Sequence, residues 1–444
     1  MRNYIVSAIG AKLSQESGIL ELMNDLGETV ALRPDMLTLG GGNPAEIPEM
    51  QTIWRKSAER LMKDGDEFDK ALAHYDAPQG ETRFLDAFAA MFREQFNLPI
   101  SRANVAVTSG AQLGAFSLFN LLAGQTKDGR ARKILVPLVP EYVGYADMGV
   151  EPGLFIGVPG KITYPNPDDR SVFKYAVDFN SVEAVLRKED VAAILLSRPT
   201  NPSGNLITRA ELVKLDALAE KYDALLIVDN AYGGPFPGIL EDKTELDSVF
   251  WTPRAILFYS LSKIGLPSLR TAMMIAPEEI VERVSAMTAI LGLANNSLGQ
   301  RLAFPLVQSG EILSLSREVV LPYYRKRRTD AIEIVRREFA RVGVDVRLHK
   351  SEGAFFLWLW TPELKCGSKA LYRRLKEKGV LAIPGSGFFY GLSDMEVENR
   401  DPEFERSREQ TLRVSFSSSE LVVERGLRII AETIAEMTAN SRAY

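Results

Sequence analysis

The chain has 444 residues, of which 46% are apolar and 25% charged, and its formal net charge is −5. This length predicts two domains with ample buried core, and the composition is that of an ordinary globular protein. The mildly negative charge gives no support to a nucleic-acid partner, and we interpret the basic run at 324–328 as the solvated face of a helix.

Cysteine, histidine and hydropathy exclude further classes of protein. The single cysteine, Cys366, excludes an internal disulfide, and the two histidines with no cysteine cluster give no zinc-ligand spacing. The N-terminus lacks the apolar core of a signal peptide, and no uninterrupted apolar run reaches the roughly 18 residues of a membrane span. We expect a cytoplasmic protein without a metal site.

Short apolar strands and helices alternate through the first two thirds of the chain. A glycine loop at 40–42 follows helical spacing at 13–27. The next predicted elements are, in order, a helix at 81–96, a strand at 105–108, a helix at 113–122, a strand at 134–139, a helix at 141–148, a strand at 191–196, a capped helix at 209–222, and strands at 224–228 and 255–260. Such alternation predicts a parallel-rich sheet, which binds its ligands at the carboxyl ends of its strands.

The last third of the chain predicts a smaller α+β domain. A long helical pattern at 309–342 leads into it, and a surface excursion is expected at 387–408. Its other elements are predicted as strands at 344–349, 354–360, 380–383 and 412–416, a helix at 368–378 and a terminal helix. We therefore expect a large domain at 49–310 and a small domain formed by 1–48 and 311–444.

Chemically active side chains fall at the ends of predicted strands. Lys263 follows the buried strand at 255–260, Asp229 follows the strand at 224–228, and the turn 109–112 leads from a strand into a helix. A lysine at the mouth of a core can have a lowered pKa and form Schiff bases with carbonyl compounds, including pyridoxal phosphate. A turn that opens a helix points backbone amides at an anion. Each feature alone also fits a structural role, as a solvated strand end, a cap or an empty turn.

Four separated elements call for one explanation: Lys263, Asp229 followed three residues later by Tyr232, the turn at 109–112, and the segment Thr-Asn-Pro-Ser-Gly-Asn at 200–205. Together they resemble the fold-type I pyridoxal phosphate enzymes of the aspartate aminotransferase superfamily, over nearly the whole chain. The blocks at 39–44, 75–80, 140–147, 197–205, 229–233 and 260–267 are similar to the valine–pyruvate aminotransferase family. The resemblance implies an α/β fold in which helices sandwich a mostly parallel, seven-stranded sheet, next to a smaller α+β domain.

The resemblance also implies roles for individual residues. Lys263 would hold the cofactor covalently and carry the substrate proton, Asp229 would protonate the pyridine nitrogen, and Tyr142 would stack on the ring. Asn201 and Tyr232 would donate to the ring's phenolic oxygen, and Arg413, Asn201 and Gly42 would bind the substrate carboxylate. The phosphate cup would consist of Gly110, Ala111, Gln112, Ser260 and Arg270, together with Tyr75 from the other subunit of a homodimer. Apart from the resemblance, Ser260, Ser262 and Arg270 flank Lys263 and could donate to a phosphate.

The implied activity is ping-pong transfer of an amino group between L-valine and pyruvate. Alternatives are an aminotransferase for another aliphatic or aromatic amino acid, a C–S β-lyase on the same cofactor, and a non-catalytic regulator. The chain departs from the superfamily in two places. The spacing from Lys263 to Arg270 is one position shorter than usual, and Arg198 stands where many relatives carry asparagine.

Overall fold

The computed structural model describes residues 5–25, 27, 33–392 and 401–440. The strands are β1 Leu37–Thr38, β2 Val105–Thr108, β3 Gly124–Gln125, β4 Ala131–Val139, β5 Phe155–Pro159, β6 Lys161–Thr163, β7 Val172–Ala176, β8 Val191–Ser197, β9 Leu225–Asp229, β10 Ala255–Ser260, β11 Ala272–Ile275, β12 Arg347–His349, β13 Phe356–Trp360, β14 Val380–Leu381, β15 Ile383–Pro384 and β16 Thr411–Ser415.

The helices of the described residues alternate with these strands. They are α1 Ala8–Leu13, α2 Gly18–Asn24, α3 Pro48–Lys63, α4 Glu67–Ala73, α5 Thr82–Phe96, α6 Ala111–Leu122, α7 Phe179–Lys188, α8 Arg209–Lys221, α9 Glu278–Gly292, α10 Ser297–Gln308, α11 Glu311–Leu315, α12 Leu321–Val342, α13 Ser368–Glu377, α14 Pro402–Gln410 and α15 Glu420–Asn440. Among these helices, none combines the length and hydropathy of a membrane span.

The larger sheet confirms the predicted α/β fold. Its strands run in the order β2-β11-β10-β9-β8-β4-β5, and the two-residue β3 pairs with β4 as an eighth strand. Every pair from β10 to β5 is parallel, whereas β11 is antiparallel to both of its neighbours. All residues of β8 and β10 are buried, which explains why these strands read as continuous apolar runs.

The second sheet has six strands in the order β15-β16-β13-β12-β7-β6. Four of them follow residue 347, as the sequence predicts, but β6 and β7 come from 161–176, inside the range predicted as the large domain. They join this sheet because β7 pairs in parallel with β12, which brings Phe173 against His349. The division of the chain at residues 48 and 310 stays a prediction.

Two predicted elements are wrong. The helix expected at 141–148 is only a 3₁₀ turn, Val143–Tyr145. Gly144 packs beneath the Tyr142 ring, where a Cβ would lie 2.5 Å from the ring, so the backbone turns tightly instead of continuing as a helix. The excursion expected at 387–408 ends in α14, which Asp401 caps and which buries Phe404; residues 393–400 lie outside the described part.

Two further predictions need correction. The helical pattern at 13–27 is broken, because Ser17 caps a new helix, α2, after α1 has ended at Leu13. The basic run at 324–328 lies on α12 as expected but is not wholly solvated. Arg327 is 7% exposed and donates to the Phe416 carbonyl over 3.2 Å, so this arginine ties α12 to the segment after β16.

Candidate active site

A cavity of about 630 Å³ opens at the carboxyl ends of β8, β9 and β10. This is the edge at which a parallel sheet binds its ligands. The predicted site residues that line it are Gly42, Ala111, Gln112, Tyr142, Asn201, Asp229, Tyr232, Ser260, Ser262, Lys263, Arg270 and Arg413. The structure therefore brings together side chains that lie far apart in the sequence.

Lys263 is held by the tight turn that follows β10. The Ser260 hydroxyl accepts the Ser262 amide over 3.1 Å and so caps the 3₁₀ turn Leu261–Ile264. Gly265 ends the turn with φ +111°, and the Trp54 indole donates to the Ile264 carbonyl over 2.9 Å. The lysine thus sits on a rigid support directly after a buried strand.

The Lys263 amine lies among aromatic rings and backbone oxygen. Its Nζ donates to the Gly42 carbonyl over 2.5 Å and lies 5.5 Å and 5.7 Å from the ring centres of Tyr232 and Phe355. Burial, followed by the positive charges of Arg413 and Arg270, lowers the pKa of Lys263 to about 8. A substantial fraction of the amine is therefore neutral, and so nucleophilic, close to physiological pH.

Asp229 ends β9 and points its carboxylate into the cavity. One oxygen accepts the Ala231 amide over 2.8 Å, and the other accepts the Tyr145 hydroxyl. Burial raises the pKa of Asp229, and these two hydrogen bonds oppose the rise. The two donors also fix the orientation of the carboxylate, which suits it to hold a proton on a neighbouring ring nitrogen.

Arg413 and Asn201 form a buried pair that also lines the cavity. The Arg413 guanidinium donates to the Asn201 side-chain oxygen and to the Gly40 carbonyl, each over 2.7 Å, and lies 4.2 Å from the centre of the Phe356 ring. Burial lowers the pKa of Arg413 to about 10, so the group is still a cation at neutral pH. Its Nε has no hydrogen-bond partner among the described residues. The site therefore holds a fixed cation suited to a carboxylate.

The turn before α6 forms an anion cup. Gly110 has φ +81°, and a Cβ there would lie 2.0 Å from the Arg270 guanidinium, so the position requires glycine. Arg270 itself adopts a left-handed backbone with φ +45°, which brings its side chain over Gly110 despite the short spacing from Lys263. A helix N-terminus beside an arginine is a favourable place for a phosphate.

The three predicted tyrosines occupy different places. The Tyr232 ring packs edge-on against Phe355, with the centres 5.2 Å apart, and lines the cavity. Tyr142 also lines it, and its ring packs edge-on against Tyr145 at 5.0 Å. Tyr75 is 82% exposed and does not line the cavity of its own chain. A role for Tyr75 thus stays a prediction.

Two buried residues that support the site, Tyr145 and Glu141, were not predicted from the sequence, and Tyr145 also lines the cavity. Tyr145 supports Asp229, as described above. Glu141 is 1% exposed and accepts the Ser197 hydroxyl as well as the amides of Tyr142 and Ser197, over 2.7 Å and 2.8 Å. Burial raises the pKa of Glu141 to about 7. The available signal is an acid two positions after the end of an apolar strand, following Pro140.

Ser197 links Glu141 to the loop that carries Asn201. Its hydroxyl donates to Glu141 and accepts the Asn201 amide over 3.2 Å. Arg198, which had no role in the sequence reading, turns away from the cavity. It forms a buried ion pair with Glu245 at 2.7 Å and donates to the Ile207 carbonyl over 2.6 Å. Its contacts are structural: they fix the loop that carries Asn201.

Comparisons with known proteins agree with this geometry. The family model for aminotransferase class I and II matches residues 35–430. The valine–pyruvate aminotransferase of Escherichia coli K12 is 40% identical over 435 residues, which cover 98% of this chain and 99% of that protein. The crystal structure of valine–pyruvate aminotransferase from Salmonella typhimurium superposes with a TM-score of 0.82 at 37% identity, covering 95% of this chain and all of that one (100%).

A more distant structure, the aspartate aminotransferase of Thermus thermophilus, shares the fold with a TM-score of 0.72 at 19% identity and covers 98% of this chain and 100% of that one. The cavity thus lies in a fold that is common to enzymes of this kind. By the family match and the close relative, the chain belongs to the class I and II aminotransferases.

Proposed function

We propose that the protein binds pyridoxal 5′-phosphate in this cavity. The donor set fits the cofactor. The cup at Gly110 and Arg270, which a Cβ would fill, suits the phosphate, the Asp229 carboxylate suits a protonated ring nitrogen, and the Lys263 amine suits the aldehyde. Ser260, Ser262, Ala111 and Gln112 line the cavity beside these groups and would complete the cup.

When bound, pyridoxal phosphate supplies an electron sink for the electron pair at the substrate's Cα. The chain's own residues supply the rest. Arg413 would bind the substrate carboxylate, and Asp229 would keep a proton on the ring nitrogen. The Lys263 amine would hold the cofactor and, as the neutral base, would take the proton from Cα. Tyr232 and Asn201 would donate to the phenolic oxygen, and the Tyr142 side chain would pack against the cofactor.

We propose L-valine and pyruvate as the amino donor and acceptor, exchanged in a ping-pong sequence. The support is the similarity to the valine–pyruvate aminotransferases of two bacteria, with which the chain shares close to its full length. The single observation that carries transamination is the convergence of Lys263, Asp229 and Arg413 on one cavity. A cytoplasmic location stays a prediction from the sequence.

Absorption spectroscopy of the purified protein tests the proposal. Wild-type protein should show the visible band of bound cofactor, lose it on addition of L-valine, and regain it on addition of pyruvate, with one alanine formed for each 3-methyl-2-oxobutanoate. A colourless protein would contradict cofactor binding. A response to phenylalanine but not to valine would favour an aromatic substrate. Pyruvate and ammonia released from a cysteine conjugate without an acceptor would indicate a β-lyase.

We also propose a homodimer in which Tyr75 reaches the phosphate of the partner subunit. The turn that carries Tyr75 is tied to the cup of its own chain, because the Asn295 side chain donates to the Pro78 carbonyl and accepts the Ser109 hydroxyl, each over 3.0 Å. Tyr75 itself points to solvent and is free to meet a second copy. Sedimentation should give a dimer, and Tyr75→Phe should weaken cofactor retention. A monomer with full activity would refute this arrangement.

A further inference from the structure

The large aliphatic side chains of the cavity come from one helix. Among the described residues that line the cavity these are Ile19, Leu22 and Met23, all on α2, whereas the strand ends contribute polar, aromatic or small side chains. Their spacing of three and four positions places them on one face of the helix. We call this face the aliphatic wall. The residues that contact a substrate side chain could not be identified from the sequence.

Contacts at both ends hold the helix in place. Ser17 caps it by accepting the Leu20 amide over 3.2 Å, and a Cβ at Gly18 would lie 3.2 Å from the Val143 side chain, on the turn that carries Tyr145. At the other end, Asp25 forms an ion pair with Lys376 of α13. The wall is therefore positioned by contacts at each end of the helix.

Part of the apolar surface of the aliphatic wall is exposed to solvent. Met23 is 59% exposed, and none of the α2 residues is fully buried. Side chains that were already buried in the core could not gain by contacting a ligand. A substrate side chain placed against this face would remove apolar area from water on both partners, which favours binding.

Each of the three cations that line the cavity already has a role in the proposed function, and none of them lies on α2. Lys263 donates to the Gly42 carbonyl, Arg270 lies over Gly110, and Arg413 donates to Asn201 and to the Gly40 carbonyl. The described lining residues include no further lysine or arginine. A second carboxylate on a substrate would find no cation at the aliphatic wall.

We propose that Ile19, Leu22 and Met23 bind the side chain of the substrate and select compact, uncharged aliphatic groups. The inference rests on the proposed function, since Arg413 must hold the α-carboxylate and the cofactor on Lys263 must hold the nitrogen. With these two substituents fixed, the side chain is the substituent left to contact the aliphatic wall, which is the strongly aliphatic surface among the described lining residues. A single methylene in such a site changes preference by about 10- to 200-fold.

Equilibrium binding of unreactive carboxylates tests the wall without turnover. Calorimetric titration of the pyridoxal phosphate-loaded protein with 3-methylbutanoate and with acetate should show a preference for 3-methylbutanoate of about 10-fold or more. Leu22→Ala and Met23→Ala should each lower this ratio about 5-fold, because each removes apolar contact area. Leu20→Ala is the matched control, since Leu20 lies on the same helix, is 44% exposed and does not line the cavity.

A second experiment tests whether a cation introduced at the aliphatic wall strengthens the binding of a dicarboxylate. Met23→Arg places a cation at an exposed helix position that tolerates arginine well, and it should tighten the binding of succinate by about 10-fold over wild type. Preferences like those of wild type in Leu22→Ala, Met23→Ala and Met23→Arg would overturn the inference. Because these titrations need no catalysis, they test the wall even if valine fails to react, an outcome that would instead contradict the proposed function.

Discussion

The floor and the aliphatic wall of the cavity are built in opposite ways. The floor consists of the strand ends that carry Lys263 and Asp229, and these side chains are held by buried strands, capped turns and several hydrogen bonds. The wall lies on a seven-residue helix with no fully buried residue. Residues that transfer protons must be placed accurately, whereas residues that contact an aliphatic group only need to offer apolar surface. We infer that the floor sets the chemistry and the wall sets the substrate.

The largest effect should come from the floor. Lys263→Ala should lower the rate of the valine half-reaction by at least about 10³-fold, because it removes both the covalent anchor and the base that takes the Cα proton. Stopped-flow decay of the cofactor band measures this rate. Lys221→Ala, at an exposed ion pair with Glu183, is the control and should react like wild type. A Lys263→Ala protein that still turned over rapidly would contradict the assignment of the floor.

The carboxylate of the floor should rank next. Asp229→Asn cannot keep the ring nitrogen protonated, so we expect the same rate to fall by about 10²- to 10⁴-fold. Asp147→Asn is the matched control, because Asp147 pairs with Lys12 at 3.5 Å and lies outside the cavity lining. Equal rates in Asp229→Asn and Asp147→Asn would show that the ring nitrogen needs no carboxylate.

The pH dependence of pyridoxal phosphate uptake tests whether the pKa of Lys263 is lowered. The neutral amine is the reactive form, and burial with Arg413 and Arg270 lowers its pKa to about 8. The rate at which cofactor-free protein takes up pyridoxal phosphate should therefore rise about 10-fold per pH unit below pH 8 and level off above it. A free lysine derivative, titrated in parallel, corrects for ionisation of the cofactor itself. A protein rate that kept rising to pH 10, like that of an ordinary lysine, would contradict the lowered pKa.

Removing the hydroxyl that hydrogen-bonds to Asp229 should have a smaller effect. Tyr145→Phe removes a hydrogen bond to the buried Asp229 carboxylate, and such bonds to charged groups contribute about 1.5–3 kcal/mol. We expect the half-reaction to slow about 10-fold. Tyr222→Phe serves as the control, because it removes a tyrosine hydroxyl that donates to Glu183 and does not line the cavity. An unchanged rate in Tyr145→Phe would mean that the Ala231 amide alone orients Asp229.

The smallest effect should follow from loosening the wall. Lys376→Met removes the ion pair that holds Asp25 at the end of α2, and partly exposed pairs contribute about 0–1 kcal/mol. We expect the ratio of kcat/KM for valine over alanine to fall by no more than about 5-fold while kcat with alanine is kept. A larger loss of kcat than of selectivity would show that α2 also supports the floor.

The sequence predicted the floor better than the wall for a physical reason. Lys263 and Asp229 follow continuous apolar runs, and such runs mark buried parallel strands whose carboxyl ends meet. Arg270 is expected near a phosphate because it follows Lys263 closely in the sequence. Asn201 and Arg413 could be placed only through the resemblance to a family, because nothing in their local sequence shows that they converge. The wall escaped notice because Ile19, Leu22 and Met23 have the spacing of any amphipathic helix, and such spacing does not reveal what the helix covers.

The predictions for 141–148 and for the strands β6 and β7 failed for a common reason. A helix is predicted at 141–148, yet this segment contains glycine, valine and tyrosine, which are weak helix formers, and Glu141 accepts hydrogen bonds from Ser197 instead. Likewise β6 and β7 belong to the second sheet through their pairing with β12, a contact that links residues far apart in the chain. Both segments adopt their structures through contacts with residues far away in the chain, which a local sequence pattern does not reveal.

The most direct test of the central claim is to locate the covalent bond to the cofactor. Protein loaded with pyridoxal phosphate can be reduced with borohydride, digested, and analysed by mass spectrometry for the pyridoxyl mass on lysine. The account predicts one modified lysine, Lys263, and loss of the modification when L-valine is added before reduction. A pyridoxyl group on another lysine, or none, would contradict the assignment of this cavity as the active site.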